Sequence, residues 1–301
     1  MFLHNLVLRK EVSDMAYTAW IILTASLVGL SCGLIGVFLI LRRMAMMADA
    51  ISHSVLIGIV SAYLITRELS GWHMMVGGMV AGLLTAVLVQ WFNSRGVQQE
   101  ASIGVVFTTL FAIGVIMIAT QVGNAHLDVK HALMGEITFV PWDVVQLPWF
   151  GSIPEATLIL IIVLILVLVA IFTFYKEWKI TSFDPMLAAS IGIPVVLMHY
   201  LFMSLVSITT VAAFDAVGAI MVVAMLITPA AAAYLWTDRL SLMLVLSGTF
   251  GVLSAISGYY IAVLLDTSIS GSMAFATGIV FMISFLCSPK HGVLAQHYRT
   301  T

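Results

Sequence analysis

The stretch Met44-Ala-Met-Met-Ala-Asp49-Ala-Ile-Ser-His53-Ser-Val-Leu-Ile-Gly58 is apolar enough to lie in a membrane, yet it carries a carboxylate and an imidazole. The two stand four residues apart, about one helical turn, so both side chains point to one side of a helix. A carboxylate at membrane depth costs about 2.5–3.5 kcal/mol or more and is kept where it has a task. Carboxylate plus imidazole on one face is half of a site for a divalent cation. The alternatives are a helix-to-helix hydrogen bond, or an Asp49 paired with Arg42 or Arg43 near the interface. Ser52 and Ser54 suit a polar seam in each case. A span starting near Met44 puts His53 about ten residues in, roughly 15 Å, near the bilayer midplane, with Asp49 one turn closer to the cytoplasm. A symmetric dimer would bring two such pairs around one axis and form a mixed nitrogen–oxygen site.

Outward from this stretch the chain is of one kind. Its 301 residues are 62% hydrophobic and 9% charged, against about 25% charged in a soluble domain. The fold class is therefore all-α, a polytopic membrane protein. Runs long enough to span occur at 17–41, 44–66, 72–92, 102–121, 156–175, 195–213, 216–236, 242–264 and 271–287. The two beside Asp215 could be one bent unit, which gives about eight to ten helices in a single transmembrane domain over residues 1–301. The first run is too long for a signal-peptide core and reads as a retained span. The long connection 122–154 reads as a partly helical surface loop. Cys32 and Cys287 both fall in apolar segments and imply no disulfide framework.

Orientation follows from Lys and Arg, which favour the cytoplasmic side. With the 176–194 loop inside, Arg42, Arg43, Arg95, Lys176, Lys179, Arg239, Lys290 and Arg299 lie inside. Arg9, Lys10, Arg67 and Lys130 then lie outside, as does the 122–154 loop. Asp215 reads as a cap on the N-terminus of the next span, where the helix dipole favours a carboxylate, or as a second group on an ion path. His199 reads as a packed, hydrogen-bonded histidine. His126, Asp128 and His131 are solvated loop residues or a gathering point at an outer mouth. Gly29/Gly33 and Gly78/Gly82 match the small-xxx-small pattern of close helix contacts.

No phosphate-binding Gly-x-x-x-x-Gly-Lys-Ser/Thr loop occurs, so nothing points to ATP hydrolysis by this chain. Zinc-protease and nucleophile-elbow motifs are absent as well, and no basic stretch suggests nucleic acid.

Four stretches, in order along nearly the whole chain, resemble the permease subunit of the ATP-binding-cassette importers for zinc, manganese and iron. They are Leu41-Arg-Arg-Met-Ala…Asp49-Ala-Ile-Ser-His53, His131-Ala-Leu-Met-Gly135-Glu136, Ser182-Phe-Asp184-Pro185-Met186…Gly192, and Phe214-Asp215-Ala-Val-Gly218 through Pro229 to Arg239. Met134 stands where the family usually has Phe, and Met186 where it usually has Glu. The resemblance implies the vitamin-B12-importer-like (type II) permease fold in a bacterial plasma membrane. It implies a partner permease, identical or a sister subunit, with lipid around both. Two cytoplasmic ATPase subunits would bind ATP and dock on a coupling helix formed by Phe183, Asp184, Pro185, Met186, Leu187 and Gly192. An extracellular metal-binding protein would deliver the ion. Asp49 and His53 become the central metal ligands, with Asp215 and His131 as further candidates. The cargo expected is Mn²⁺, because the form around Asp215 looks like the manganese/iron branch, with Zn²⁺ or Fe²⁺ as alternatives; no permanent cofactor is implied. The rival is a stand-alone secondary transporter using Asp49 and Asp215 as ion carriers.

The docking segment also reads from its own residues. Phe183 is buriable, Asp184 can cap, Pro185 suits a first helical turn, Gly192 ends the helix and Pro194 blocks its continuation.

Overall fold

The computed structural model describes residues 2–66, 71–121, 137–147, 151–289 and 292. In chain order the helices are α1 (Phe2–Leu41), α2 (Met46–Thr66), α3 (Gly71–Ser94), α4 (Gln99–Gln121), α5 (Glu155–Phe183), α6 (Pro185–Ser190), α7 (Val195–Val217), α8 (Ala219–Trp236), α9 (Leu240–Leu265) and α10 (Ile269–Cys287). Among the described residues, nine are long and apolar enough to cross a membrane, all but the six-residue α6. The nine apolar runs predict this number.

Three boundaries differ from the sequence expectation. The helix α5 runs past Lys176 and Lys179 to Phe183, so the first part of the 176–194 connection is helical. The helices beside Asp215 are two and not one bent unit, because Gly218 adopts φ +80 between them, a conformation that favours glycine. The described part of the long connection holds a 3₁₀ turn, Ile137–Trp142, and also a hairpin that the sequence did not announce. Its strands β1 (Val144–Leu147) and β2 (Gly151–Pro154) pair antiparallel, Val144 with Pro154 and Leu147 with Gly151.

The centre of the bundle is α1, packed by α5, α8 and α9, while α2 lies against α3 and α4. In the membrane part of α1, 72% of the most apolar window is buried, against 22% for α4, so α4 is a peripheral helix of the isolated chain. Small residues set the closest approaches. A β-carbon on Gly29 would stand 2.7 Å from the backbone of Gly251 in α9, and Ser247 of α9 donates to the Gly33 carbonyl at 2.8 Å. Gly78 and Gly82 of α3 meet side chains of both α2 and α7. Both small-xxx-small spacings thus mark real helix contacts. Towards the end of α5, the wholly buried Trp178 packs edge-on against Phe38 of α1 and Phe202 of α7, at 5.7 and 5.5 Å between ring centroids.

Candidate functional site

The chain turns from α1 into α2 without glycine or proline. Arg43 takes the left-handed conformation, φ +56, and Met44 N–H donates to the Leu39 carbonyl at 2.8 Å. Asp49 therefore falls in the first turn of α2, where the unpaired N–H groups and the dipole favour a negative charge. Met47, Ala48, Ala50 and Ile51 are buried around it. This leaves Asp49 and His53 on the remaining, partly open side, 30% and 33% exposed. His53 Nε2 and Asp49 Oδ1 lie 3.4 Å apart, longer than a good N–H···O bond of about 2.7–3.2 Å. The His53 ring stacks on Phe107 at 5.9 Å and meets Phe111 edge-on at 5.7 Å, both from α4.

The two serines serve other ends. Ser52 donates to the Asp49 carbonyl and Ser54 to the Ile51 carbonyl, while Thr85 of α3 donates to the Ser54 hydroxyl at 2.7 Å. The seam ties α2 to α3 and leaves the Asp49 carboxylate and the imidazole to each other. Pairing of Asp49 with an interfacial arginine is overturned: the carboxylate faces His53. Arg42 instead donates to Ser182 at 3.0 Å and Thr181 at 3.1 Å, and lies over the Phe202 ring at 4.5 Å.

Depth follows from packing. Ile51 and Ser207 both meet Gly82, and Val55 and Val211 both meet Gly78, so α2 and α7 run side by side in a fixed register. Asp49 is then level with Leu205 and His53 with Thr209, on either side of the midpoint of α7 (Val195–Val217). The pair sits halfway along a membrane-spanning helix although Asp49 opens its own, because α2 starts well above the start of α7. In the same register Asp215 is level with Ile59, about 9 Å beyond His53 along the axis.

Asp215 does not cap the next helix. It lies in the last turn of α7, and Gly218 is the N-cap of α8, with no side-chain cap bond. Its side chain is exposed, with Glu155 and Asp143 as charged neighbours and Glu155 N–H bonded to the Asp143 carbonyl at 2.9 Å. His199 meets the Tyr200 ring and lines a cavity beside Arg42; the hydrogen bond expected of it is not seen among the described residues. His126, Asp128 and His131 lie outside the described residues.

The segment after α5 folds as its residues predict. Asp184 Oδ1 accepts from Leu187 N–H at 2.9 Å, Pro185 opens α6, and Gly192 takes φ +86 beyond its end. Phe183 differs from expectation: it is 59% exposed, beside Met186 at 83% and Leu187 at 51%, so a single chain leaves this apolar face uncovered.

Metal–ligand bonds of about 2.1 Å separate neighbouring donors by about 3.0 Å in octahedral and about 3.4 Å in tetrahedral geometry. The 3.4 Å between Asp49 and His53 therefore suits two ligands on one cation. Among the described residues no three His, Cys, Asp or Glu groups gather to hold a metal ion. The walls Phe107 and Phe111 were not legible in sequence, since an apolar span offers many equivalent aromatics. Arg42 was legible as a charge but not as a tie to α5.

Comparison with known proteins places this architecture. The chain is 56% identical to the manganese transport system membrane protein MntD of Bacillus subtilis over 286 residues, covering 95% of this chain and 97% of that protein. It is 44% identical to the zinc transport system membrane protein TroD of Treponema pallidum over 281 residues, covering 93% and 76%. Among solved structures, PsaBC from Streptococcus pneumoniae in complex with Fab superposes with a TM-score of 0.78 at 33% identity, covering 93% of this chain and 95% of that one. Nine apolar helices and such relatives make this a multi-pass protein of the bacterial plasma membrane with the type II ABC permease fold. The model of the ABC 3 transport family matches residues 14–288, and the chain belongs to that family.

Proposed function

We propose that this chain is the membrane-spanning subunit of an ABC importer for Mn²⁺, and that Asp49 and His53 bind the ion midway across. The observation that carries the proposal is the 3.4 Å pair on α2, level with the middle of α7, with its own serines turned away from it. A lone Asp49 carboxylate at that depth is costly, and a divalent cation offsets the cost. Two ligands per chain suit a dimer in which a second permease, a copy or a sister subunit, adds its own pair. The 56% identity to a manganese permease supports Mn²⁺ ahead of Zn²⁺. Affinity alone favours zinc over manganese, so selection falls to geometry and delivery.

ATP is hydrolysed on separate cytoplasmic subunits in this proposal. They dock on Phe183, Met186 and Leu187, whose apolar side chains stand exposed on a capped, rigid turn. An extracellular metal-binding protein presents the ion at the opposite face, where Asp215, Glu155 and Asp143 form an acidic mouth.

The test is cellular Mn, Zn and Fe measured by elemental mass spectrometry. Cells lacking their own uptake systems would express the complete transporter with wild-type chain or Asp49→Ala at equal membrane levels. Mn gain that depends on Asp49 is expected. Undiminished uptake with Asp49→Ala would sink the central site, and selective Zn or Fe gain would replace the ion.

A further inference from the structure

The turn between α1 and α2, the end of α5 and the start of α7 enclose a cavity of about 500 Å³ on the side that the Lys and Arg distribution assigns to the cytoplasm. Arg42, Arg43 and His199 line it together with the hydroxyls of Thr181 and Ser182, and no carboxylate does. Apolar Leu41, Met44, Phe183, Pro185 and Val195 complete its wall, the third and fourth being shared with the turn into α6.

Arg42 is the fixed element. Its Nε donates to Ser182 and one terminal nitrogen to Thr181, with Phe202 under its face. A guanidinium has five N–H donors, so three remain unspent. No acidic side chain pairs with it among the described residues, and burial lowers its pKa to about 10, leaving it charged at neutral pH. A partly buried cation without a counter-ion is unfavourable unless an anion comes from outside the chain. Guanidinium groups match phosphate oxygens in pairs, and basic pockets between membrane helices on the cytoplasmic side suit phospholipid headgroups.

We propose that this cavity binds a phosphate group, supplied by the headgroup of an anionic phospholipid of the inner leaflet. Lipid is favoured over free phosphate because the basic and hydroxyl groups share the cavity with an apolar wall at the very end of the membrane part of α1, Leu41. A bound phosphate would join the turn that leads into Asp49 to Ser182, two residues before the N-cap of α6. The inference does not depend on which ion is transported.

The experiment uses the assembled complex with its ATPase subunits, purified in detergent containing equal amounts of phosphatidylglycerol and phosphatidylcholine. Retained lipids are counted by mass spectrometry. Wild type is expected to hold phosphatidylglycerol in excess, and each arginine charge removed should lower that excess by about fivefold. Arg42→Gln tests the fixed element but also cuts the tie to α5. The decisive variant is therefore Arg43→Asn with His199→Gln, which leaves Arg42 in place and suits the left-handed backbone at residue 43. Loss of the excess in that double variant, at unchanged thermal stability, supports the site. Equal retention of both lipids by wild type, or an unchanged excess in the double variant, overturns it. Stabilisation of lipid-free complex by millimolar inorganic phosphate, with no phosphatidylglycerol excess, overturns the lipid source. An excess seen in the isolated permease and lost on adding the ATPase subunits would show that the partner's acidic side chains occupy the cavity, which also overturns the proposal.

Discussion

The Asp49–His53 pair and the turn from Asp184 to Gly192 both rest on an aspartate near a helix N-terminus, and they use it in opposite ways. Asp184 spends its carboxylate on its own chain, accepting Leu187 N–H and closing a six-residue helix. Asp49 makes no such bond; its nearest partner is an imidazole at 3.4 Å, and the local serine bonds to its carbonyl instead. The first region is complete as a structure and incomplete as a surface, since Phe183, Met186 and Leu187 stand uncovered on it. The second is packed on its other faces and leaves a carboxylate and an imidazole partly open, two donors where a metal ion takes at least four. In the proposed function the open charge takes an ion and the open apolar patch takes a protein.

The largest effect should come from removing charge at the Asp49–His53 pair. Asp49→Asn keeps shape and the α2 start but supplies a neutral ligand. Metal uptake by the complete transporter is expected to fall at least about 100-fold, beyond the roughly 10- to 100-fold typical of losing an outer partner of a metal ligand. Uptake within tenfold of wild type would mean that the open carboxylate is only structural, and the contrast between the two aspartates would collapse.

Next in size is the aromatic clasp behind the Asp184–Gly192 turn. Trp178 is wholly buried between Phe38 and Phe202 and holds the end of α5 to α1 and α7. Trp178→Ala should cost about 3–5 kcal/mol, read as a lower unfolding midpoint of the purified complex. A loss below about 1 kcal/mol would show that the Asp184–Gly192 turn does not depend on this packing. Asp184→Ala is smaller: losing an N-cap costs about 1 kcal/mol, too little to unfold the bundle. It should loosen α6 and lower transport per ATP hydrolysed while leaving metal affinity unchanged. Tight coupling in that variant would deny the turn its role.

Sequence carried much of this. Nine spans, the shared face of Asp49 and His53, both glycine contacts and the capped turn were legible because each depends on neighbours within about one or two turns of chain. What was not legible depends on distant partners. Asp215 read as a cap for α8 because Asp commonly caps, but Gly218, three residues on, breaks the backbone first and takes the N-cap itself. Counting from Met44 puts His53 mid-span, whereas the helix starts at Met46 and has Asp49 in its first turn; the level of the pair against α7 is set by α3 holding α2 and α7 in register through Gly78 and Gly82. Phe183 read as buriable since aromatics usually are, and a single chain has nothing to bury it with. The hairpin at 144–154 lay inside a long polar connection where four-residue strands leave little pattern.

The smallest expected effect separates the two aspartates most cleanly. Asparagine caps a helix as well as aspartate does, because its side-chain oxygen accepts the same N–H. Asp184→Asn should therefore keep the bond from Leu187 and alter stability by no more than a few tenths of a kcal/mol. The same replacement at Asp49 removes the charge that an ion needs. If the Asp184 carboxylate served only to shape α6, transport per ATP would stay within about twofold of wild type in the Asn variant and fall in the Ala variant. If it also met a basic group on the ATPase, the Asn variant would fall with Ala at undiminished stability, since losing one partner of an interfacial charge pair costs about 2–5 kcal/mol. Met186 bears on the choice: it is 83% exposed and carries no charge, so the proposed docking through Phe183, Met186 and Leu187 would be apolar and would not require an ion pair at Asp184. Expected, then, is a neutral Asn at 184 beside an inactive Asn at 49, with one carboxylate acting as a hydrogen-bond acceptor and the other as a charge.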